Sequence, residues 1–211
     1  MKGKIVLIGG GGHCRACIDV IEAEGRFSIA GIIDAGIGTG GKIFGYPVIG
    51  TDDDIPEAIS RYANVLVTVG QIKTAETRKR LYSLAQRHGG RFPVVVSPKA
   101  LVSGHAFLNE GSIIMHGAVI NAGAAVGCNC IINTAAVIEH DVRLGDHCHI
   151  STACVVNGGC ILGNDVFVGS NSVVSNNVTL ADSVIIGAGS VIIKSIGRPG
   201  IYAGNPAEKI G

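Results

Sequence analysis

The strongest pattern in the chain is a large aliphatic residue at every sixth position of its second half. Val, Ile or Leu fills each of these positions from Val102 to Ile192, with no insertion. The position four residues later is also restricted, to Ala, Ser, Cys or Val from Ala106 to Ser190. An α-helix repeats about every 3.6 residues and a half-buried strand about every two. A strict period of six therefore predicts short strands and turns stacked coil upon coil, as in a parallel β-helix.

The residue directly after the large aliphatic is often Asn or Gly, as at Asn121, Gly145 and Gly163. Both residue types favour turns, so the chain is expected to change direction at these positions. The chain has no tryptophan, and aromatic residues make up only 4% of it. We therefore expect narrow layers of small and β-branched side chains instead of an ordinary globular core.

The first hundred residues have a different pattern, in which short apolar runs alternate with amphipathic segments. A helix is predicted after Gly12 and another over Thr74–His88, with strands at 4–8, 28–33, 65–69 and 94–96. Strands that alternate with helices are typical of a small Rossmann-like α/β sheet. The sequence thus predicts two domains: a Rossmann-like domain at 1–97, and a β-helix with a C-terminal tail at 98–211.

A run of four glycines, Gly9–Gly12, ends the first predicted strand and is followed by His13. In one interpretation, backbone N–H groups at a helix N-terminus bind a phosphate, and Asp34 binds a ribose or a base. A dinucleotide site is a second interpretation, but the G-x-G-x-x-G spacing places Cys14 or Arg15 at the last glycine. A tight strand-to-helix turn without a ligand is the third.

Charge and hydropathy exclude several classes of partner. The chain has 17 basic and 16 acidic residues, so neither a nucleic acid nor an anionic membrane surface is an expected partner. No apolar run approaches the roughly 18 residues of a membrane-spanning helix. The N-terminal segment reaches glycine after four apolar residues, unlike a secretory signal, and a cytoplasmic location is expected.

The seven cysteines are expected to be reduced, buried thiols. An alternative is a zinc site built from His13, Cys14 and Cys17, with or without the pair Cys128 and Cys130. That set lacks a second pair of ligands at a standard spacing, so no metal is expected.

Histidines in the repeat region offer acid–base chemistry. A group transfer that moves a proton needs a base for the attacking group and an acid for the leaving group. Histidine suits both proton transfers near neutral pH. His140 is followed directly by Asp141, a carboxylate that can fix its tautomer and raise its basicity. The repeat region contains His105, His116, His140, His147 and His149.

The repeat over residues 100–193 resembles the hexapeptide-repeat acyltransferases, whose β-helix is left-handed with three hexads per coil. With Gly9–His13 and the terminal Tyr202–Ala207 included, the whole chain resembles one subgroup, the sugar acetyltransferases of the PglD, NeuD and perosamine type. The resemblance implies acetyl-CoA as co-substrate and a homotrimer with active sites between subunits.

The segment Asn133–Asp141 resembles the base segment of this subgroup, which implies His140 as the general base and Asp141 as the acid that orients it. A coil of eighteen residues stacks Gly158 on His140, and the resemblance implies that the Gly158 amide stabilises the oxyanion. The residues that the resemblance places at acetyl-CoA are His149, Gly158, Ser170 and Ala188, and those that it places at the acceptor are Gly11, Gly12, His13, Asp34, Gly70 and Asn133.

Two acceptors remain open at this stage. Gly9–His13 with Asp34 favours N-acetylation of a nucleotide-linked amino (dideoxy) sugar in bacterial surface-glycan biosynthesis. Ile150–Gly158 resembles the branch that O-acetylates sialic acid or a related nonulosonate. A non-catalytic β-helix protein would need neither the outward His–Asp pair nor the stacked glycine, and the glycine spacing disfavours an NAD-dependent oxidoreductase.

Overall fold

The computed structural model describes residues 2–211. These residues divide into two compact units. The first contains the residues up to Gly70 together with Glu76–Val96, and the second contains Gln71–Ala75 together with Ser97–Gly211. The short segment Gln71–Ala75 therefore belongs to the second unit, although it lies within the first hundred residues.

The first unit is a five-stranded α/β sheet with strand order β3-β4-β2-β1-β5. The strands β1, β2, β4 and β5 are parallel, and β3 pairs antiparallel with β4. This topology confirms the Rossmann-like prediction. The elements are β1 (Gly3–Ile8), α1 (Gly12–Glu24), β2 (Phe27–Ile33), β3 (Lys42–Ile43), β4 (Tyr46–Gly50), a 3₁₀ turn (Asp52–Asp54), α2 (Ile55–Tyr62), β5 (Asn64–Val67), α3 (Glu76–Arg87) and β6 (Val95–Val96).

The apolar runs of β1, β2 and β5 form the centre of this unit, where Ile5, Leu7 and Leu66 are fully buried. The sequence pattern did not predict the β3–β4 hairpin. The strand β3 is only two residues long, which is too short for a periodic signal. The acidic run before α2 caps the helical segment, because the Asp54 carboxylate accepts the Thr51 N–H at 2.7 Å.

The second unit is a left-handed parallel β-helix with three faces. Face 1 contains β7, β10, β13, β16, β19 and β22, face 2 contains β8, β11, β14, β17 and β20, and face 3 contains β9, β12, β15, β18, β21 and β23. The strands are β7 (Leu101–Val102), β8 (Phe107–Leu108), β9 (Ile113–Ile114), β10 (Val119–Ile120), β11 (Ala125–Val126), β12 (Ile131–Ile132), β13 (Val137–Ile138), β14 (Arg143–Leu144), β15 (His149–Ile150), β16 (Val155–Val156), β17 (Ile161–Leu162), β18 (Phe167–Val168), β19 (Val173–Val174), β20 (Thr179–Leu180), β21 (Val184–Ile186), β22 (Val191–Ile192), β23 (Gly200–Gly204) and β24 (Ala207–Lys209).

The six-residue repeat fills the interior of this prism. From Ile114 to Ile192 every sixth residue is buried, and none of them is more than 5% exposed. Pairing such as Ile120 with Ile138 gives a coil of eighteen residues, as three hexads per coil require. Each aliphatic residue therefore packs on its equivalent in the next coil, which confirms the β-helix prediction.

The corners of the prism depend on one backbone conformation. Every sixth residue from Gly111 to Gly189 has a positive φ, including the non-glycine residues Ala135, Asp141 and His147. This residue lies three positions after the large aliphatic. The sequence pattern placed the turn at the Asn or Gly one position after the aliphatic, so it located the corner but not its left-handed residue.

Cysteine and serine share the small inward position for a common reason. Ser112 Oγ donates to the Gly127 carbonyl at 2.7 Å, and Cys148 Sγ donates to the Gly163 carbonyl at 3.1 Å. Both acceptors are corner carbonyls one coil further along the prism. All seven cysteines are free thiols, and burial raises the pKa of Cys17 and Cys154 above the ordinary thiol value.

Gly145 lies where two coils approach each other closely, and we predict that Gly145→Ala destabilises the β-helix. A Cβ there would stand 2.7 Å from the backbone of Gly163 in the next coil, so the two coils would have to separate. The expected loss is about 1–3 kcal/mol, measured as a lower Tm or urea midpoint. Gly104→Ala is the matched control, because within residues 2–211 only Gly104 itself and its two chain neighbours have atoms near its added Cβ. Equal stability of the two variants would contradict this account of the coil spacing.

Candidate active site

His140 and Asp141 form a hydrogen-bonded pair at the corner between faces 1 and 2. The His140 Nδ1–H donates to Asp141 Oδ2 at 2.9 Å, and both side chains are well exposed, at 62% and 73%. Asp141 is the left-handed residue of this corner, with φ 60°. The bond holds the proton on Nδ1 and leaves Nε2 of the neutral ring as the basic nitrogen.

Gly158 lies directly beside the basic edge of His140. A Cβ built on Gly158 would stand 2.5 Å from His140 Nε2, so only a glycine leaves room for the ring in this position. The Gly159 N–H donates to the His140 carbonyl at 3.0 Å and fixes the two coils in register. The Gly158 N–H makes no hydrogen bond with any residue in 2–211. A base and an unused amide donor are therefore neighbours.

Electrostatics favour the protonated form of His140. The hydrogen bond that His140 donates to Asp141 is the main cause that raises the pKa of His140 above its ordinary value of about 6.5, and the negative charges of Asp141 and Glu139 add to it. Glu139 is held beside the ring, since its carboxylate accepts the Asn121 side-chain amide at 2.9 Å. The ring is thus a stronger base than an isolated histidine.

A second group of predicted residues lines an apolar groove of about 660 Å³ on face 3 and the corner that follows it. His149, Ser170 and Ala188 meet there, and the Oγ atoms of Ser151 and Ser170 are 2.9 Å apart. The sequence did not single out the other lining residues, which are Ile72, Lys73, Ser151, Phe167, Gly169, Ile185, Ile186, Gly187 and Ile201.

His149 is buried in this groove and held on both ring nitrogens. Its Nδ1–H donates to the Gln71 carbonyl at 2.7 Å, and its Nε2 accepts the Asn133 side-chain amide at 3.1 Å. The edge of the Phe167 ring packs against it, with 5.3 Å between the ring centroids. The structure thus places Asn133 at His149. Sequence reasoning missed Gln71 because it contributes a main-chain carbonyl, for which no side-chain signal exists.

The third group lies in the first unit, where β1 and β5 end. The glycine run divides into two structural and two open positions. Gly9 has φ 107° and approaches the Val69 backbone closely, while a Cβ at Gly10 would meet Ile43 at 2.9 Å. At Gly11 and Gly12 an added Cβ would meet no atom of residues 2–211 within 4 Å apart from those of its chain neighbours and of the α1 backbone.

His13 and Gly70 adjoin each other beside the open glycines, since a Cβ on Gly70 would touch His13 Cβ at 3.5 Å. The Asp34 carboxylate, in contrast, accepts hydrogen bonds from backbone N–H groups of its own chain. Oδ2 accepts the Gly10 N–H at 2.6 Å, and Oδ1 accepts the N–H groups of Gly36 and Ile37 at 2.9 and 2.8 Å. Asp34 therefore fastens the loop after β2 to the glycine run.

Two of the remaining histidines of the repeat have polar partners within the second unit. His116 Nδ1 is 2.6 Å from Ser97 Oγ, and His147 Nδ1 is 3.0 Å from the Asn129 amide. Among residues 2–211, no group of three or more His, Cys, Asp or Glu side chains is arranged to hold a metal ion. The helices in this part of the chain are all too short or too polar to span a bilayer.

Two protein families match parts of the chain. The PglD N-terminal domain family matches residues 4–84, and the bacterial transferase hexapeptide family, with six repeats, matches residues 159–194. No curated protein sequence matches the chain significantly.

Solved structures extend the match over the whole chain. Perosamine N-acetyltransferase from Caulobacter crescentus, a histidine-to-asparagine mutant in complex with CoA and GDP-perosamine, is 33% identical with a TM-score of 0.93, over 99% of this chain and 97% of that one. The acetyltransferase domain of PglB from Neisseria gonorrhoeae, in complex with acetyl coenzyme A, is 30% identical with a TM-score of 0.92, over 100% of both chains. WeeI from Acinetobacter baumannii shares the fold at 20% identity and a TM-score of 0.84, over 99% of this chain and 100% of that one. The chain therefore belongs to the family of hexapeptide-repeat sugar acetyltransferases that carry a PglD-type N-terminal domain.

Proposed function

We propose that this protein transfers the acetyl group of acetyl-CoA to the amino group of a nucleotide-linked amino sugar. The observation that carries the proposal is the arrangement of His140, held by Asp141 on one side and adjoining Gly158 on the other. The reaction needs a base and an oxyanion donor within reach of one carbonyl carbon, and this corner supplies both. The relative that is 33% identical was crystallised with CoA and GDP-perosamine, which supports the same class of reaction.

The proton moves from acceptor to leaving group through one ring nitrogen. As the amine nitrogen attacks the thioester carbonyl, His140 Nε2 takes its proton, and the carbonyl oxygen becomes an oxyanion. The Gly158 N–H donates a hydrogen bond to that oxyanion. When the C–S bond breaks, the imidazolium returns the proton to the CoA sulfur, and Asp141 stabilises the charged ring in between.

The groove that contains His149, Ser170 and Ala188 is the proposed site of the acetyl-CoA donor. Its apolar walls suit the pantetheine arm, and the Ser151 and Ser170 hydroxyls offer polar contacts. The two hydrogen bonds on His149 occupy both of its nitrogens. We therefore assign His149 a positioning role in the groove, with His140 as the base.

The first unit is the proposed site of the nucleotide-sugar acceptor. Gly11 and Gly12 leave the N-terminus of α1 accessible. The first turn of this helix contains no acidic residue that would repel an anion. The N–H groups of Gly11 and Gly12 donate to no group within residues 2–211, and together with the helix dipole they favour a bound phosphate. His13 and Gly70 border the same opening, whereas Asp34 supports the loop around it.

The active site needs more than one copy of the chain, and we propose a homotrimer. His140 lies at the corner between faces 1 and 2, whereas Ser170 and Ala188 lie at the corner between faces 3 and 1. If face 1 of each copy points toward a threefold axis, the His140 corner of one copy meets the groove of the next. Three copies then form a closed trimer. The outward residues of face 1 are all apolar, as such an interface requires: Leu101, Val119, Val137, Val155, Val173 and Val191.

We place the reaction in the cytoplasm. All seven cysteines are free, as expected for a protein in a reducing compartment. The transferred group comes from acetyl-CoA, an intracellular thioester.

We predict that His140→Ala lowers kcat by about 10²- to 10⁴-fold, because the amine loses its proton acceptor. The KM for acetyl-CoA should change little, since His140 is not among the residues that line the proposed donor groove. Thiol release from acetyl-CoA, with UDP-, GDP- and CMP-linked amino sugars as acceptors, measures both constants. His105→Ala, at an exposed histidine of the same β-helix, should retain wild-type rates.

If the His140→Ala variant kept nearly the wild-type kcat, the assignment of His140 as the base would be wrong. Free sialic acid belongs in the same set of acceptors, because it separates the two acceptor classes. If it alone were acetylated, the nucleotide-sugar proposal would be wrong while the acetyl-CoA chemistry would stand.

Asp141→Asn should move the acidic limb of the pH profile of kcat/KM to lower pH. The Asp141 carboxylate raises the pKa of His140, and the base acts only when it is neutral, so wild-type activity falls as the pH drops through that raised pKa. Without the carboxylate the pKa of His140 falls, and the neutral ring persists to lower pH, although with less basicity and a lower maximal rate. Asp182→Asn, an isosteric change of an exposed acid at another corner, should leave the profile unchanged. An unshifted profile in Asp141→Asn would contradict the assigned pairing.

The shared active site predicts complementation between two inactive variants. His140→Ala removes the base, and Ala188→Trp fills the groove from an exposed turn. In mixed trimers from equal co-expression, about a quarter of the interfaces combine an intact His140 with an intact groove, so about a quarter of wild-type activity should return. The control is a trimer in which every chain carries both substitutions, and it should remain inactive. No recovery in the mixed trimers would place the whole site within one chain.

A further inference from the structure

Phe44 occupies an unusual position at the tip of the β3–β4 hairpin. Ile43 pairs with Tyr46, so Phe44 and Gly45 form a two-residue loop, with φ of 48° and 87°. Such loops favour Asn-Gly or Asp-Gly, because both residues need a positive φ. A phenylalanine in this conformation costs about 1–2 kcal/mol.

Burial does not offset this cost, because the Phe44 side chain is 65% exposed. The Arg15 guanidinium lies over the ring, 5.9 Å from the centroid. An exposed aromatic residue in a strained loop gains little from the fold of its own chain. Strained residues of this kind cluster at ligand sites.

The hairpin that carries Phe44 packs against the glycine run through Ile43. The Ile43 side chain packs where a Cβ of Gly10 would be, at 2.9 Å. Arg15 belongs to the first turns of α1, the helix whose N-terminus Gly11 and Gly12 leave open. The exposed ring, the guanidinium and the open N–H groups thus lie on one surface of the first unit.

Charge on this surface favours an anion with an attached planar group. Arg15 is cationic, the N-terminus of α1 carries partial positive charge, and the nearby Asp34 carboxylate is already bound by three backbone N–H groups. A nucleoside diphosphate has the matching shape, with phosphates for the helix end and a flat base for the aromatic ring.

We propose that Phe44 is the platform on which the base of the nucleotide stacks, with Arg15 beside it toward the phosphates. This inference rests on the proposed nucleotide-sugar acceptor and names residues that recognise its nucleotide. Stacking requires a π-face and no particular hydrogen-bond pattern, so Phe44 contributes affinity for any base. Base preference then depends on polar groups around the ring.

Isothermal titration with GDP, UDP and dTDP tests the platform. Phe44→Ala should weaken binding of the preferred nucleotide by about 5- to 150-fold, the range for loss of one base–aromatic stack. Phe44→Trp should restore most of it. Binding of inorganic pyrophosphate, which has no base, should be the same in all variants.

Phe44→Asn separates ligand binding from folding, because asparagine suits a positive φ. Its Tm should equal or exceed that of the wild type, while nucleotide affinity falls as in Phe44→Ala. Phe107→Ala is the matched control, at a phenylalanine of the β-helix that is 69% exposed, and should leave nucleotide affinity unchanged.

The outcomes distinguish the inference from the function on which it rests. If the wild type binds a nucleotide and Phe44→Ala binds it equally well, the platform is wrong and the acceptor proposal stands. If Phe44→Asn lowers the Tm, Phe44 has a structural role instead. If the wild type binds none of the three nucleotides, the nucleotide-sugar acceptor itself is wrong.

Discussion

The left-handed residue at every sixth position is the constraint on which the rest of the β-helix depends. A positive φ turns the chain at each corner and returns it to the same face after eighteen residues. The hydrophobic repeat can be buried only because this return is exact in register, with aliphatic side chains stacked in rows. Asp141 is one of these corner residues. Its backbone conformation, which the fold requires, also brings its carboxylate to the Nδ1 of His140.

Stacking also determines which residues can react together. Neighbouring strands lie about 4.8 Å apart, so groups eighteen positions apart in the chain become neighbours in space. His140 and Gly158 meet in this way, and the absence of a side chain on Gly158 leaves space for the imidazole. Ser170 and Ala188 are related by the same interval at another corner. The separation of the two pairs by face 1 is the physical reason why we propose a site that two subunits complete.

The first unit uses its polar groups for support as much as for recognition. The Asp34 carboxylate holds the glycine run by accepting the Gly10 N–H. The buried Arg78 holds the end of β5, because its guanidinium donates to the carbonyls of Val67 and Val69. These contacts keep the loops rigid around Gly11 and Gly12. A preorganised opening loses little conformational entropy when an anion binds.

The sequence by itself determined the β-helix, the alternating α/β sheet and the outward His140–Asp141 pair. Each of these follows from local periodicity or from residues adjacent in the chain, which a linear pattern records. The tertiary structure alone decided that Asp34 binds backbone amides, that the Gln71 carbonyl holds His149, and that the Arg15 guanidinium lies over the Phe44 ring. Such contacts join residues far apart in the chain through main-chain atoms or exposed loops, which leave no periodic trace in the order of side chains.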